Sequence, residues 1–262
     1  MLLLLSPAKK LDYDSPVRTE LHTQPQFVPQ ATALITVLRN LSVDDVAQLM
    51  KLSNALAELN VQRYAEWQPE FTPAQARQAI LAFNGDVYEG LQASELSDDQ
   101  LRWAQSHLAI LSGLYGVLRP LDLMRPYRLE MGTRLSTSRG NTLYAFWGAQ
   151  IAQYLNECVG QLVADQGESP VILNLASEEY FKSVDLKTLK ARVIQCVFQD
   201  AKNDQWKIIS FHAKRARGLM ARYVIDHRIT DPARLVDFAS EGYVYAPEVS
   251  TADSYVFRRA SS

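Results

Sequence analysis

The residues most suited to ligand chemistry are the basic side chains of residues 210–228. At 100° per residue, one face of a helix over this segment carries Lys214, Arg215, Arg217 and Arg222, and the opposite face is apolar. Guanidinium groups match phosphate oxygens bidentately, so this face is suited to phosphate in a nucleic acid or a nucleotide. The pattern also fits a solvated surface helix and, more weakly, a helix lying on a membrane.

A second group of polar side chains follows the predicted strands, where open α/β sheets place their ligands. If the strand ends meet, they form a cleft that holds both bases and carboxylates. In an enzyme, acid–base work would be done by Asp12, Asp86, Glu130 and Glu179. A phosphate or an oxyanion would be held by Lys9, Arg119, Arg128 and Lys182. The alternative is ordinary loop chemistry with structural ion pairs.

A hairpin-like segment joins the helical pieces 43–49 and 54–67. Its small-residue turn resembles the hairpin of helix-hairpin-helix DNA-binding motifs, in which amides at the start of the second helix hold a phosphate. Ser53 or Asn54 is placed to cap that helix, but Lys51 and Ser53 stand where the motif usually has glycines. A plain helical corner explains the segment equally well. Residues 113–116 offer a second hairpin with glycines, although Pro120 interrupts any following helix.

Several classes of site lack their sequence signatures. The histidines have neither HxH nor HExxH spacing, and the cysteines Cys158 and Cys196 form no CxxC pair. No GxGxxG, GxxxxGK[ST] or GxSxG pattern occurs. We therefore predict no metal site, no cofactor and no established catalytic motif, and we interpret both cysteines as structural thiols in a reducing compartment.

These residues must be positioned by a fold of the mixed α/β (α+β) class. The chain has 262 residues, 47% of them hydrophobic, and a net charge of -2, with no linker or repeat, which predicts a single domain over 1–262. The apolar start is too short for a signal peptide and no segment is long enough to span a membrane, so we expect a cytoplasmic protein, favoured as a monomer. We expect disorder in the tail at about 258–262.

The predicted elements alternate irregularly, so we expect a mixed sheet with helices packed on it. The predicted helices cover 27–39, 43–67, 74–79, 98–108, 141–158 and 213–227, with Ser42 as an N-cap. The predicted strands cover 2–5, 109–111, 171–175, 192–198, 206–211, 243–245 and 255–258.

Long stretches of the chain resemble the YaaA family of peroxide-stress proteins, from Met1 to about Phe257. The matching segments are LSPAK (5–9), QAILAF (78–83), GDVY (85–88), LSGLYGVLRPLD (111–122), PYRLEMG (126–132), FWG (146–148), NLAS (174–177) and AKRARG (213–218). The resemblance implies a cytoplasmic protein that limits oxidative damage and lowers free intracellular iron. It also implies DNA binding through a basic cleft on an unusual α/β fold with a helix-hairpin-helix element.

We therefore expect a DNA-binding protein with low sequence specificity, which favours distorted duplexes. The residues expected to contact nucleic acid are Lys9, Lys10, Lys51, Ser53, Asn54, Arg119, Arg128, Lys182, Lys214, Arg215, Arg217 and Arg222. The alternative is an enzyme that acts on a nucleobase, a nucleotide or DNA in the strand-end cleft.

Overall fold

Leu2–Leu5 is an interior strand of a mixed β-sheet, and all four of its side chains are buried. The structure is a computed structural model that describes residues 1–167 and 170–260. The predicted mixed α/β class is confirmed, because helices pack against a sheet that contains both parallel and antiparallel strands.

The strands within the described residues are β1 (Leu2–Leu5), β2 (Lys10–Leu11), β3 (Arg77–Gln78), β4 (Phe83–Asn84), β5 (Leu108–Ser112), β6 (Gly116–Leu118), β7 (Leu123–Met124), β8 (Val171–Asn174), β9 (Arg192–Lys202), β10 (Gln205–Lys207), β11 (Val244–Tyr245) and β12 (Ser254–Arg259). The α-helices there are α1 (Val28–Leu38), α2 (Val43–Met50), α3 (Asn54–Glu66), α4 (Ala79–Ala82), α5 (Asp86–Leu91), α6 (Asp98–His107), α7 (Leu143–Trp147), α8 (Gln150–Gln166), α9 (Glu178–Phe181) and α10 (Ser210–His227). Short 3₁₀ helices lie at Ala93–Glu95, Pro232–Asp237, Ser240–Gly242 and Pro247–Val249.

The main sheet has the strand order β11-β12-β9-β8-β1-β5-β6, with β10 paired to β9. The strands from β12 to β5 in this order run parallel, while β6, β10 and β11 pair antiparallel at the margins. Parallel strands are usually covered on both faces, which explains why β1 is apolar throughout rather than alternating.

The position of β1 creates a crevice at one edge of the sheet. From β1 the chain reaches β5 on one side of β1, and it later crosses to β8 on the other side. Open α/β sheets bind ligands outside the carboxyl ends of their strands at such a point. In the register of the sheet, Leu4 lies opposite both Ala109 and Asn174, so the polar residues after β1 and β8 emerge together.

Helices α5 and α10 approach each other through two glycines. A Cβ added at Gly90 would lie 2.3 Å from the carbonyl oxygen of Arg215, and one at Gly218 would lie 1.8 Å from that of Val87. Only glycine allows backbones to approach this closely. The contact fixes the start of α5 and the middle of α10 at the same edge of the sheet.

Three predicted helices differ from the structure, and the first, 43–67, is divided at Lys51 into α2 and α3. Residues 74–79 do not form one helix, because β3 pairs with β7 and the Ala79 N–H donates to the carbonyl oxygen of Asp122 (2.9 Å). Residues 141–158 form two helices rather than one, since Gly148 adopts a φ of 50° after α7. In all three places tertiary contacts or backbone conformation override the local helical pattern.

The other predicted elements agree more closely. The Ser42 N-cap is confirmed, because its Oγ accepts the Asp45 N–H (3.2 Å) in a capping box. The predicted strand at 206–211 is wrong beyond Lys207, since α10 begins at Ser210. At the C terminus, Arg258 and Arg259 lie in β12, so the expected disorder does not reach them, and residues 261–262 lie outside the described residues.

Candidate functional site

A cleft of about 450 Å³ lies at the carboxyl ends of β1 and β8. We call it the strand-end cleft. Its walls come from residues 6–10 after β1, residues 84–87 at the start of α5, residues 127–130, the start of α9 and one face of α10. The predicted cleft of bases and carboxylates is therefore present at the expected edge of the sheet, and it also receives part of the basic helix.

The floor of the cleft is tied together by two serines. The Oγ of Ser6 donates to the Oγ of Ser177 (3.2 Å) and accepts the Ser177 N–H (2.8 Å). The Tyr88 hydroxyl donates to the carbonyl oxygen of Ser6 (3.0 Å). Below them, the Asn174 side chain accepts the Ala176 N–H (3.0 Å), so the loops after β1 and β8 are held in one arrangement.

One wall carries an ion network centred on Glu130. Its Oε1 lies 2.9 Å from Lys9 Nζ and 3.2 Å from Arg128 Nη2, so one carboxylate is shared between two cations. The Oε1 of Glu179 accepts the Gly132 N–H (2.9 Å), which brings a second carboxylate to the same wall. Asp86 lines the cleft at the first residue of α5. Three of the four predicted carboxylates thus meet here.

The opposite wall presents cations from α10. Lys214 and Arg217 are three residues apart on one helix face, and both line the cleft. Burial lowers the pKa of Arg217. Within residues 1–167 and 170–260, neither side chain has a hydrogen bond or an ion pair, and the same is true of Lys10 across the cleft. Positive charge is therefore available here without a carboxylate partner.

The rest of the basic face of α10 is neutralised by carboxylates. Arg215 forms a bidentate pair with Glu241, at 2.6 Å between Nη2 and Oε1. The pKa of Glu241 is lowered, first by this hydrogen bond. Arg222 pairs with Asp226 (2.9 Å) and also approaches Glu95 (3.5 Å). Neither arginine lines the strand-end cleft. The face that is uniformly positive in sequence is thus mixed in sign in the structure.

Three further predicted residues lie outside the strand-end cleft. Asp12 accepts the Ser15 N–H (2.9 Å) and pairs with Arg77 (3.3 Å), and hydrogen bonds from Ser15 lower its pKa. Arg119 pairs with the buried carboxylate of Asp122 (3.0 Å). Lys182 places its Nζ 5.2 Å from the centre of the Tyr144 ring. Each of these side chains already has a structural partner.

The hairpin between α2 and α3 is also separate from the cleft. Lys51 ends α2 in the left-handed conformation (φ 53°), where glycine is the usual residue. Ser53 is the N-cap of α3 but its side chain makes no capping hydrogen bond, and Asn54 is the first helical residue. All three are exposed. Residues 113–116, the alternative hairpin, are buried and so cannot meet a phosphate.

One link connects α3 with the cleft wall. The buried Tyr64 hydroxyl donates a short hydrogen bond to the carbonyl oxygen of Arg128. The Arg128 Nε is buried and has no hydrogen-bond partner among the described residues.

Sequence reasoning missed the tyrosines of the cleft. Tyr127 and Tyr180 line it, and Tyr127 shares a hydrogen bond with Ser112 (2.6 Å). Burial raises the pKa of both phenols, so they stay protonated. Tyrosines are intermediate in burial, so they are commonly attributed to packing rather than to a site. Their positions next to Arg128 and Glu179 in the sequence could have indicated that they line the cleft.

Two other kinds of feature are absent from the described part of the chain. No group of three or more His, Cys, Asp or Glu side chains there is arranged to hold a metal ion. None of its helices combines the length and the apolar character required to cross a bilayer.

Comparison with known proteins gives consistent matches over nearly the whole chain. The family model described as "Peroxide stress protein YaaA" matches residues 1–249. A UPF0246 protein of Bordetella petrii is 68% identical over 260 residues, covering 99% of each chain. A UPF0246 protein of Paracidovorax citrulli is 62% identical over 260 residues, covering 99% of this chain and 98% of its own. One from Burkholderia mallei is 59% identical over 259 residues, with the same coverage.

Proposed function

Because the chain belongs to the YaaA family of peroxide stress proteins, we propose that it protects cells from hydrogen peroxide by binding DNA in the strand-end cleft. The observation that carries the proposal is the presence of Lys10, Lys214 and Arg217 in one cleft without a carboxylate partner among the described residues. Backbone phosphates are the DNA groups that such cations bind.

The cations of the cleft favour phosphate contacts over base contacts. Lysine binds phosphate as a point charge, and the guanidinium of Arg217 presents a planar fork to two phosphate oxygens. Contacts of this kind position DNA but carry no sequence information, so these cations contribute affinity with low sequence specificity. A duplex is too wide to enter a cleft of about 450 Å³, and this favours DNA in which a strand is distorted or unpaired. Lys9 and Arg128 add net positive charge at the rim, because these two cations share the single carboxylate of Glu130.

The hairpin between α2 and α3 is the second proposed contact. Its Ser53 cap leaves the first amides of α3 without a side-chain acceptor, and a phosphate satisfies such amides and the positive end of the helix. Lys51 supplies a cation beside them. In this arrangement the DNA contains both paired and unpaired nucleotides. The hairpin binds the phosphates of the duplex portion, and the unpaired strand enters the cleft.

The cellular setting is proposed on family membership. We propose a cytoplasmic monomer that limits free intracellular iron without itself ligating iron. Titration of the purified protein with ferrous iron should then show no stoichiometric binding, while size-exclusion chromatography with light scattering should give the mass of one chain. Stoichiometric iron binding would replace this part of the proposal with direct sequestration.

Fluorescence anisotropy with labelled DNA tests the binding site through two matched double variants. Lys214→Gln/Arg217→Gln removes two charges from the cleft, and Arg215→Gln/Arg222→Gln removes two charges from the ion-paired face of the same helix. The slope of log K against log salt changes by about 0.7 for each phosphate of a single strand that the protein neutralises. We expect the cleft variant to weaken binding and to flatten the slope by up to about 1.4, and the outer-face variant to retain both values. Equal effects of the two variants would contradict the assignment to the cleft.

A second function is favoured by one specific observation. Asp86, Glu130 and Glu179 line the same cleft as the cations, which is the arrangement an enzyme acting on a nucleotide or on DNA would use for proton transfer. Incubation of the protein with labelled bulged and single-stranded DNA, followed by product analysis, distinguishes this activity from binding alone.

A further inference from the structure

The strand-end cleft carries more negative charge than a phosphate groove requires. Asp86, Glu130 and Glu179 all line it. The backbone of a duplex offers phosphate oxygens, which accept hydrogen bonds and repel carboxylates. A carboxylate is an acceptor only, so it needs donors such as sugar hydroxyls or base amino groups. The ligand that suits this cleft therefore has an anionic part and a part that donates hydrogen bonds.

The dimensions of the cleft point to a single small unit. Its volume of about 450 Å³ lies within the range of about 300–1,000 Å³ that is typical of small-molecule sites. The cleft lies beside β1, at the point where the chain connects to β5 on one side of the strand and later to β8 on the other. This is the usual ligand position in open α/β sheets. Pro7, Ala8, Val87 and Leu129 add apolar surface to its lining, which a planar base can cover.

Arg217 provides an independent reason to expect an anion. It is half-buried, it lines the cleft, and in the described chain it has no hydrogen bond or ion pair. Removing a cation from water without a partner is unfavourable, so such groups normally meet an anion. Lys214, one helical turn earlier, projects into the same cleft. The Nε of Arg128, buried and unpartnered among the described residues, marks a second incompletely satisfied cation in the lining.

We infer that the strand-end cleft binds one nucleotide, with its phosphate on Arg217 and Lys214 and its sugar or base donors on Glu130 and Glu179. This inference rests on the proposed function and narrows it: the unit recognised is an unpaired nucleotide of DNA or a free mononucleotide, not a stretch of duplex backbone. Enzymes that take a base out of the DNA stack use pockets of this kind.

Isothermal titration with the deoxynucleoside monophosphates dAMP, dCMP, dGMP and dTMP tests the inference. Matched titrations use deoxynucleosides and inorganic phosphate. We expect at least one monophosphate to bind at least tenfold more tightly than its nucleoside and than inorganic phosphate. Arg217→Gln should weaken that binding at least tenfold, and Arg217→Lys, which keeps the charge, should weaken it less. The control is Arg102→Gln, which changes an exposed arginine of α6 outside the cleft and should leave the affinity within twofold of wild type.

A DNA titration run in parallel separates the inference from the proposed function. If DNA binds in an Arg217-dependent manner while no monophosphate binds or competes, the nucleotide site is refuted and the proposed DNA binding stands. If inorganic phosphate binds as tightly as every monophosphate, the cleft is an anion site only and the inference fails. If neither DNA nor any monophosphate binds, both are refuted. Thermal melting of each variant establishes that it is folded at the titration temperature, so that a loss of affinity is not caused by unfolding.

Discussion

Replacing Gly218 with alanine should force α5 and α10 apart. The new Cβ would lie 1.8 Å from the Val87 carbonyl oxygen and 2.9 Å from the Leu91 nitrogen. A carbon and a carbonyl oxygen normally approach no closer than about 3.3 Å, so the α5 backbone has to move by about 1.5 Å. Overpacking of this kind typically destabilises a protein by about 1–3 kcal/mol. Because the atoms in the way are backbone, we expect the upper end of that range, about 3 kcal/mol.

The matched control is Gly160→Ala in α8, where an added Cβ meets no atom within 4 Å. Alanine is the better helix former by about 1 kcal/mol. Gly160→Ala should therefore gain about that much stability, and Gly218→Ala should lose about 2 kcal/mol after the same gain. Urea denaturation followed by circular dichroism measures the free energy of unfolding of both variants. The helix-propensity contribution cancels in their difference, which should be about 3 kcal/mol. Equal stabilisation of the two variants would refute the close packing of α5 on α10.

Three other predictions concern buried or paired groups. Asp122→Asn should lower the free energy of unfolding by about 3 kcal/mol in urea denaturation, because it leaves the partner arginine half-buried without a carboxylate; wild-type stability would refute this. Arg215→Gln should be less stable than wild type at pH 7, because Arg215 stabilises the ionised carboxylate of Glu241 and so lowers its pKa. The gap should close as the pH falls from 4.5, the ordinary pKa of a glutamate, through the lowered pKa of Glu241. Thermal melts from pH 3 to 7 measure this, and a gap independent of pH would contradict it. Burial raises the pKa of the thiols of Cys158 and Cys196, so a thiol reagent at pH 8 should label the native protein at least about tenfold more slowly than the unfolded protein.

Much of the secondary structure could be predicted from the sequence, because the signals there are local. The apolar run at Leu2–Leu5 predicts a buried strand, and Ser42 predicts a helix start through the hydrogen bond it makes three residues later. The predictions failed where distant partners decide the conformation. Arg77–Gln78 follows a helical pattern, yet it pairs as a strand with Leu123–Met124, more than 40 residues away.

The sequence could predict which kinds of residue form the candidate site, but not how the loops place them in space. Strand-end polar groups were expected to meet, and Asp86, Glu130 and Glu179 do line one cleft. The sequence predicts that Asp12 joins them, because it follows β1 in the chain. Its carboxylate instead receives the Ser15 and Asp14 amides and pairs with Arg77. Sequence proximity to a strand end does not fix the direction in which a loop turns.

Helical periodicity alone places Lys214, Arg215, Arg217 and Arg222 on one broad face of a helix, because side-chain direction follows the 3.6-residue repeat. Which of these charges are free to bind a ligand depends on the folded arrangement of the chain. Glu241 lies beside Arg215 through a contact 26 residues away in the chain, while the packing of α5 on α10 leaves Lys214 and Arg217 in the strand-end cleft. A periodic pattern specifies the helix face on which a charged side chain lies. Whether that side chain meets a carboxylate or opens into a cleft depends on distant segments that folding brings together.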